Sequence, residues 1–145
     1  MPNYWIYTDG GSRGNPGNAG IGVIVFRDPH KKEVVFEQSS YIGVETNNTA
    51  EYRAVLAGME WVEQLPHSPE KQGVYFYEDS QLVVEQLNKR YKINQPHLLS
   101  FAQRVWEMCQ RLIEKNITIS FQYVPREMNK EADRLVNQSL DAHRE

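Results

Sequence analysis

Hydrophobic and polar positions divide the chain into nine predicted elements. Short runs rich in aromatic and β-branched residues predict strands, and from about Asn48 apolar residues also recur at helical spacing. The strands are predicted at Tyr4–Thr8, Ile21–Phe26, Val34–Val44, Val74–Tyr77 and Ile117–Val124. The helices are predicted at Asn48–Gln64, Gln81–Leu87, Leu98–Lys115 and Asn129–Ala142.

The order of these elements, βββαβααβα, predicts the fold class. Strands joined by short loops pair antiparallel, whereas strands separated by helices usually pair in parallel. We therefore expect an α/β fold in which a mixed five-stranded sheet carries helices on both faces. The glycine-rich segment Asp9–Gly17 is expected to be a loop. Asn48, followed three residues later by Glu51, resembles a capping box.

Composition indicates one ordinary globular domain over residues 1–145. Hydrophobic residues are 40% and charged residues 24%, which excludes disorder and coiled coil for the whole chain. No run approaches the ~20 apolar residues that span a bilayer, and no secretory leader is recognisable, so we expect no membrane partner. The single cysteine, Cys109, excludes an internal disulfide framework and favours a cytosolic location. We expect a monomer. The net charge of −3 argues against a general polyanion-coating protein and leaves a nucleic-acid enzyme open.

Four acidic residues fall where carboxylates are costly. Asp9 ends the first predicted strand and Asp79 follows the fourth, so that parallel neighbours place both at one edge of the sheet. Glu51 and Asp133 lie on the apolar stripes of their helices, which face the sheet. Each acid taken alone is also explained as a solvated surface group, the common case for acidic residues.

Convergence of these acids would require neutralisation. Clustered carboxylates at low dielectric repel one another unless protons or cations neutralise them. Hard divalent cations such as Mg²⁺ or Mn²⁺ prefer oxygen ligands. Two such ions ~3.5–4 Å apart suit an in-line phosphoryl displacement. A nucleotide phosphate loop is disfavoured, because Gly10–Gly14 lacks the lysine followed by Ser or Thr and leads into a strand.

Four segments resemble type 1 ribonuclease H. They are spread from Tyr7 to about Asn137, and each is weak alone, but all four occur in the family's order with an acid in each. The segments are Tyr7–Ser12, Thr46–Glu51, Asp79–Val84 and Asn129–Asp133. The resemblance implies a ribonuclease H-like sheet of order 3-2-1-4-5. It also implies endonucleolytic cleavage of the RNA strand of RNA–DNA hybrids, leaving 5′-phosphate and 3′-hydroxyl ends.

The resemblance also implies roles for individual residues. The four acids would be the catalytic and metal-binding residues for two Mg²⁺ ions, with Mn²⁺ as a substitute. Asp9 would bridge both ions, and Asp133 would help hold the ion that activates the attacking water. Glu51 and Asp79 would hold the ion that stabilises the leaving 3′-oxygen. Substrate contacts would come from Gly11, Ser12, Asn15, Asn47 and Asn48 at the minor groove, with Thr46 and Asn94 at a phosphate of the DNA strand.

Ordinary structural explanations exist for two of these asparagines. Asn15 precedes a proline, where turn chemistry accounts for it, and Asn48 suits a helix cap. The loop before the last acid is shorter than in many family members and contains no histidine. Glu127 lies near that place, either as a mobile carboxylate or as a solvated surface residue, and His143 in the tail is a second candidate.

Two alternatives to a hybrid-specific ribonuclease remain open. The same fold serves a related nuclease that cuts double-stranded RNA or processes flaps. A binding module that holds hybrids without cutting them belongs to another class, and the presence of all four acids counts against it.

Overall fold

Residues 3–143 of the chain are described by a computed structural model and contain five strands and four α-helices in the predicted order. The strands are β1 (Tyr4–Gly14), β2 (Gly17–Phe26), β3 (Val34–Glu45), β4 (Gln72–Glu78) and β5 (Ile117–Tyr123). The helices are α1 (Asn47–Glu63), α2 (Gln81–Leu87), α3 (Pro96–Glu114) and α4 (Lys130–Ala142). A single 3₁₀ turn, Arg126–Met128, precedes α4.

The sheet has the order β3-β2-β1-β4-β5, as the resemblance implied. β1 pairs antiparallel with β2, and β2 pairs antiparallel with β3. β4 pairs in parallel with both β1 and β5. The register of the two central strands sets Thr8 beside Glu78, so that the segments carrying Asp9 and Asp79 leave the pair side by side.

Helices cover both faces of the sheet. Because successive strand residues point to opposite sides, neighbouring residues of one strand pack into different cores. Ile6 of β1 packs into the larger core with residues of α1 and α3. Tyr7, the next residue, packs into a smaller core with Ala132 and Leu135 of α4. None of the helices between residues 3 and 143 combines the length and the apolar character needed to cross a bilayer.

The prediction of a loop over Asp9–Gly17 was wrong. β1 continues to Gly14, and β2 begins at Gly17, so that only a two-residue turn separates them. Asp9 therefore lies within a strand rather than at its end. The glycines serve close packing: a Cβ atom on Gly10 would lie 2.2 Å from the Ala50 carbonyl group of α1, and one on Gly22 would lie 2.3 Å from the Ala132 carbonyl oxygen of α4.

The predicted capping box at the start of α1 was also wrong. Thr46 is the N-cap, and its hydroxyl accepts a hydrogen bond from the Thr49 amide at 3.2 Å. Asn48 lies inside the first turn. The Glu51 carboxylate instead accepts the Gly10 amide of β1 at 2.6 Å. The Glu51 carboxylate, which the sequence pattern predicted to cap α1, therefore bonds to strand β1.

Candidate active site

Three of the four predicted acids meet at one end of the sheet, and the fourth lines the same cavity. Four carboxylate oxygens lie within 4.8 Å of one another, one each from Asp9, Glu51, Glu78 and Asp79. Asp133 lies outside this tightest group but borders the cavity of about 420 Å³ onto which Asp9, Glu51 and Asp79 open. The sequence did not predict the participation of Glu78.

Each acid is placed by a different element. Asp9 extends from the central strand β1, and Asp79 follows the parallel strand β4 directly. Glu51 reaches the cluster from α1, held by the Gly10 amide. Asp133 lies in the first turn of α4, where the helix dipole favours a negative charge.

Burial and mutual repulsion raise the pKa values of the clustered acids. Burial first, and then the charges of Glu51, Asp79 and Asp133, raise the pKa of Asp9 from 3.8 to about 10. Burial raises the pKa of Glu51 well above its ordinary value, and the adjacent Glu78 adds to the shift. Burial also raises the pKa of Glu78. Uptake of protons or cations would therefore stabilise the cluster.

Asp79 and Asp133 have more favourable surroundings than the other acids. Burial raises the pKa of Asp79, and hydrogen bonding from Asn129 and the charge of Arg126 oppose that rise. Arg126 also lies 3.7 Å from a carboxylate oxygen of Asp133, at an exposed position on the cavity wall. Exposed ion pairs of this kind contribute little to stability, but this guanidinium adds a positive charge beside the acids.

Glu78 is the clearest residue that sequence analysis missed. It is 2% exposed, and one oxygen, Oε2, accepts the Thr8 hydroxyl at 2.5 Å. Its other oxygen, Oε1, is buried without a hydrogen-bond partner. The period-two pattern of Val74, Phe76 and Glu78 was the available signal, because it places the glutamate on the buried face of β4.

Asn129 supports the site from beneath. It is the N-cap residue of α4, but its side chain makes no capping hydrogen bond. The fully buried side chain instead donates to the Thr8 carbonyl oxygen at 2.9 Å, and its hydrogen bonding lowers the pKa of Asp79. Asn129 therefore connects the loop before α4 to both central strands.

Several predicted substrate residues gather beside the acids. Asn47 accepts hydrogen bonds from the Ser12 amide at 2.9 Å and the Ser12 hydroxyl at 3.1 Å. The Asn47 amide in turn donates to Asn15 at 3.0 Å. Gly11, Ser12 and Asn47 line the cavity with the acids. The start of α1 and the β1–β2 hairpin thus form one continuous polar strip.

The other predicted residues have different surroundings. Thr46 caps α1, and Asn48 is half-buried in its first turn. Asn94 is exposed between α2 and α3 and is not among the residues that line the acidic cavity. Glu127 is exposed in the 3₁₀ turn and does not line that cavity either. The ring of His143 stacks on Tyr41 with a centroid separation of 3.7 Å.

A mixed sheet of this order, with acidic residues clustered at one end of its central strands, defines the ribonuclease H-like class of proteins. Residues 7–139 match the family model described as reverse transcriptase-like. The chain is 38% identical to the solved structure of LC11-RNase H1, isolated from compost, with a TM-score of 0.85 and 97% of each chain covered. A structure of LC11-RNase H1 in complex with an RNA/DNA hybrid matches with a TM-score of 0.84 and 36% identity over 96% of this chain and 97% of that one.

Curated relatives agree with this assignment. Ribonuclease HI of Halobacterium salinarum is 39% identical over 136 residues, covering 93% of this chain and 63% of the relative. A bifunctional protein of Mycobacterium tuberculosis is 41% identical over 137 residues, 94% of this chain. The chain belongs to the ribonuclease H family. It spans 35% of the length of that mycobacterial protein.

Proposed function

We propose that this protein is an endoribonuclease that hydrolyses the RNA strand of RNA–DNA hybrids with divalent metal ions. The observation that carries the proposal is the convergence of Asp9, Glu51 and Asp79 from three distant segments onto a cavity that Asp133 also lines. The family supports the same function, since the related LC11-RNase H1 forms a complex with an RNA/DNA hybrid.

The donor set fits hard divalent cations. All candidate ligand atoms are carboxylate oxygens, which Mg²⁺ and Mn²⁺ prefer, and among residues 3–143 no sulfur or imidazole group lines the cavity. Asp9, Glu51 and Asp79 would hold one ion, and Asp9 with Asp133 would hold a second. Bound there, such ions supply Lewis-acid stabilisation of the negative charge that develops on the phosphate in an in-line displacement.

The chain's own residues orient the substrate. Because Ser12, Asn15 and Asn47 are joined by hydrogen bonds, the polar strip is preorganised beside the acids. The strip presents a hydroxyl and amide groups of the kind that recognise a 2′-hydroxyl in the wide minor groove of a hybrid. Gly11 lines the cavity beside this strip and carries no side chain. We propose that this strip selects the RNA strand and sets the scissile phosphate over the acids, so that the products carry 5′-phosphate and 3′-hydroxyl ends.

A cleavage assay on end-labelled hybrid tests the proposal. Matched hybrid, double-stranded RNA and double-stranded DNA are incubated with Mg²⁺, Mn²⁺ or EDTA. We expect cutting of the RNA strand of the hybrid alone, only with a divalent ion. Preferential cutting of double-stranded RNA would favour the related nuclease instead. If the wild type and Asp9→Asn bind hybrid equally and neither cuts it, the protein is a binding module and the proposal fails.

Three further properties of this chain are proposals. They are a single catalytic domain over residues 1–145, a monomeric state and a cytosolic location. We also propose that Asn48, Thr46 and Asn94 contact the substrate.

A further inference from the structure

Glu78 lies beneath the proposed metal site, on the side of the sheet that faces α1. It pairs in register with Thr8, one residue before Asp9 on β1, and it directly precedes Asp79. One of its oxygens belongs to the group of four carboxylate oxygens that lie within 4.8 Å of one another. Glu78 is thus part of the cluster. It lies outside the four segments that carry the family resemblance, although it directly precedes the segment that begins at Asp79.

The surroundings of Glu78 leave its carboxylate undercompensated. The Thr8 hydroxyl satisfies Oε2, whereas Oε1 is buried without a hydrogen-bond donor, and the neighbouring Glu51 carboxyl can hydrogen-bond to Glu78 only through a shared proton. Among residues 3–143 no lysine or arginine forms an ion pair with Glu78. A buried carboxylate is destabilising unless it is paired or coordinates a metal ion.

A bound cation would supply the missing partner. One oxygen of Glu78 lies within 4.8 Å of single oxygens of Asp9, Glu51 and Asp79, and this spread is of the size that one octahedral ion bridges after a small adjustment. We propose that Glu78 is an additional ligand, giving the cluster a fourth carboxylate for one divalent ion. This inference rests on the metal site of the proposed function and extends it to a residue outside the family's set of acids.

The test measures metal binding directly rather than turnover. Mn²⁺ is titrated into the purified chain, and free Mn²⁺ is followed by electron paramagnetic resonance. Glu78→Gln keeps the size of the side chain but removes a charge and a ligand oxygen, and we expect Mn²⁺ affinity to fall about tenfold or more. The control is Glu63→Gln at the far end of α1, which changes the net charge equally and breaks only the exposed pair with Arg111. Its Mn²⁺ affinity should stay within about twofold of the wild type.

A second variant separates coordination from charge and guards against misfolding. Glu78→Asp keeps the charge but withdraws the carboxylate by one methylene, so a ligand role predicts weaker Mn²⁺ binding here too. Wild-type Mn²⁺ affinity in a folded Glu78→Gln variant would overturn the inference. Wild-type affinity in Glu78→Asp would overturn it as well, because charge alone would then suffice. If Glu78→Gln fails to fold, Glu78→Asp decides.

Failure of this inference and failure of the proposed function can be distinguished. Hybrid cleavage by the wild type is measured separately with Mg²⁺. If the wild type cuts hybrid while both Glu78 variants bind Mn²⁺ normally, the inference about Glu78 fails and the function stands. If the wild type binds Mn²⁺ more tightly than both Glu78 variants but cuts no hybrid, the function fails and the ligand assignment stands.

Discussion

Replacing Gly10 by alanine should push strand β1 away from helix α1, which carries Glu51. A Cβ atom at this position would lie 2.2 Å from both the carbon and the oxygen of the Ala50 carbonyl group and 2.6 Å from the Glu51 amide nitrogen. These are backbone atoms, so no side-chain rotation relieves the clash. β1 and the start of α1 must move apart by about 0.8 Å to bring the closest contact to even 3.0 Å.

That movement acts on the site as well as on stability. Overpacking of a well-packed interior costs about 1–3 kcal/mol, which for a chain of this size lowers the melting temperature by roughly 3–12 °C. The Gly10 amide also donates to Glu51 at 2.6 Å, so the displaced strand loses its hold on that carboxylate. Misplacement of a catalytic group by ~1 Å costs about a hundredfold in rate. We therefore expect Gly10→Ala to fold, to melt lower and to cut hybrid about a hundredfold more slowly.

The neighbouring glycine provides a matched control for stability. A Cβ atom on Gly11 would meet only Val136 Cγ1 at 3.7 Å, an ordinary contact. Gly11→Ala should therefore melt within about 2 °C of the wild type, because no backbone atom has to move. Melting is followed by circular dichroism in EDTA, and cleavage by single-turnover kinetics on labelled hybrid. A Gly10→Ala variant with wild-type melting temperature and wild-type cleavage rate would refute the argument.

Three further predictions concern the acids and their support. Asp79→Asn should abolish hybrid cleavage while leaving the melting temperature in EDTA at or above that of the wild type, since it relieves repulsion; a fall of several degrees would contradict this. Because the pKa of Asp9 is raised from 3.8 to about 10, the folded chain keeps a proton that the unfolded chain releases, so in EDTA the free energy of unfolding should fall as pH rises from about 4 toward 10. Urea titrations from pH 5 to 9 should show a shallower fall in Asp9→Asn, and equal slopes would count against the assigned shift. Asn129→Ala should cost about 1–3 kcal/mol in urea unfolding by removing the buried hydrogen bond to the Thr8 carbonyl oxygen, and a loss below about 0.5 kcal/mol would show that this bond is unimportant.

The element order and the mixed character of the sheet were predictable because they depend on repeating patterns, whereas the strand order was implied only by the family resemblance. The change from period two to helical spacing near Asn48 separates the meander β1–β3 from the helical part of the chain. Right-handed connection of parallel strands then leaves few arrangements. Asp79 could be placed beside the central strand in the same way, because it directly follows β4.

What the sequence did not reveal depends on contacts between distant segments. Gly10 has the composition of a turn but lies in a strand because α1 packs directly against it. Thr46 and Asn48 both have side chains that can cap a helix. In the structure Thr46 is the N-cap, and Glu51 accepts a hydrogen bond from β1 instead of completing a capping box with Asn48. The alternation of Val74, Phe76 and Glu78 indicates which face of β4 is buried, but the contact of Glu78 with Thr8 beneath the cluster is visible only in the structure.

Locating a bound ion tests the central claim most directly. A crystal of the wild-type chain is soaked in Mn²⁺, and an anomalous difference map is calculated at the manganese edge. We predict a strong peak between Asp9, Glu51 and Asp79, with carboxylate oxygens at about 2.1–2.3 Å. No peak in the acidic cavity at saturating Mn²⁺, with these side chains turned toward solvent, would contradict the proposal that the cluster exists to bind divalent ions.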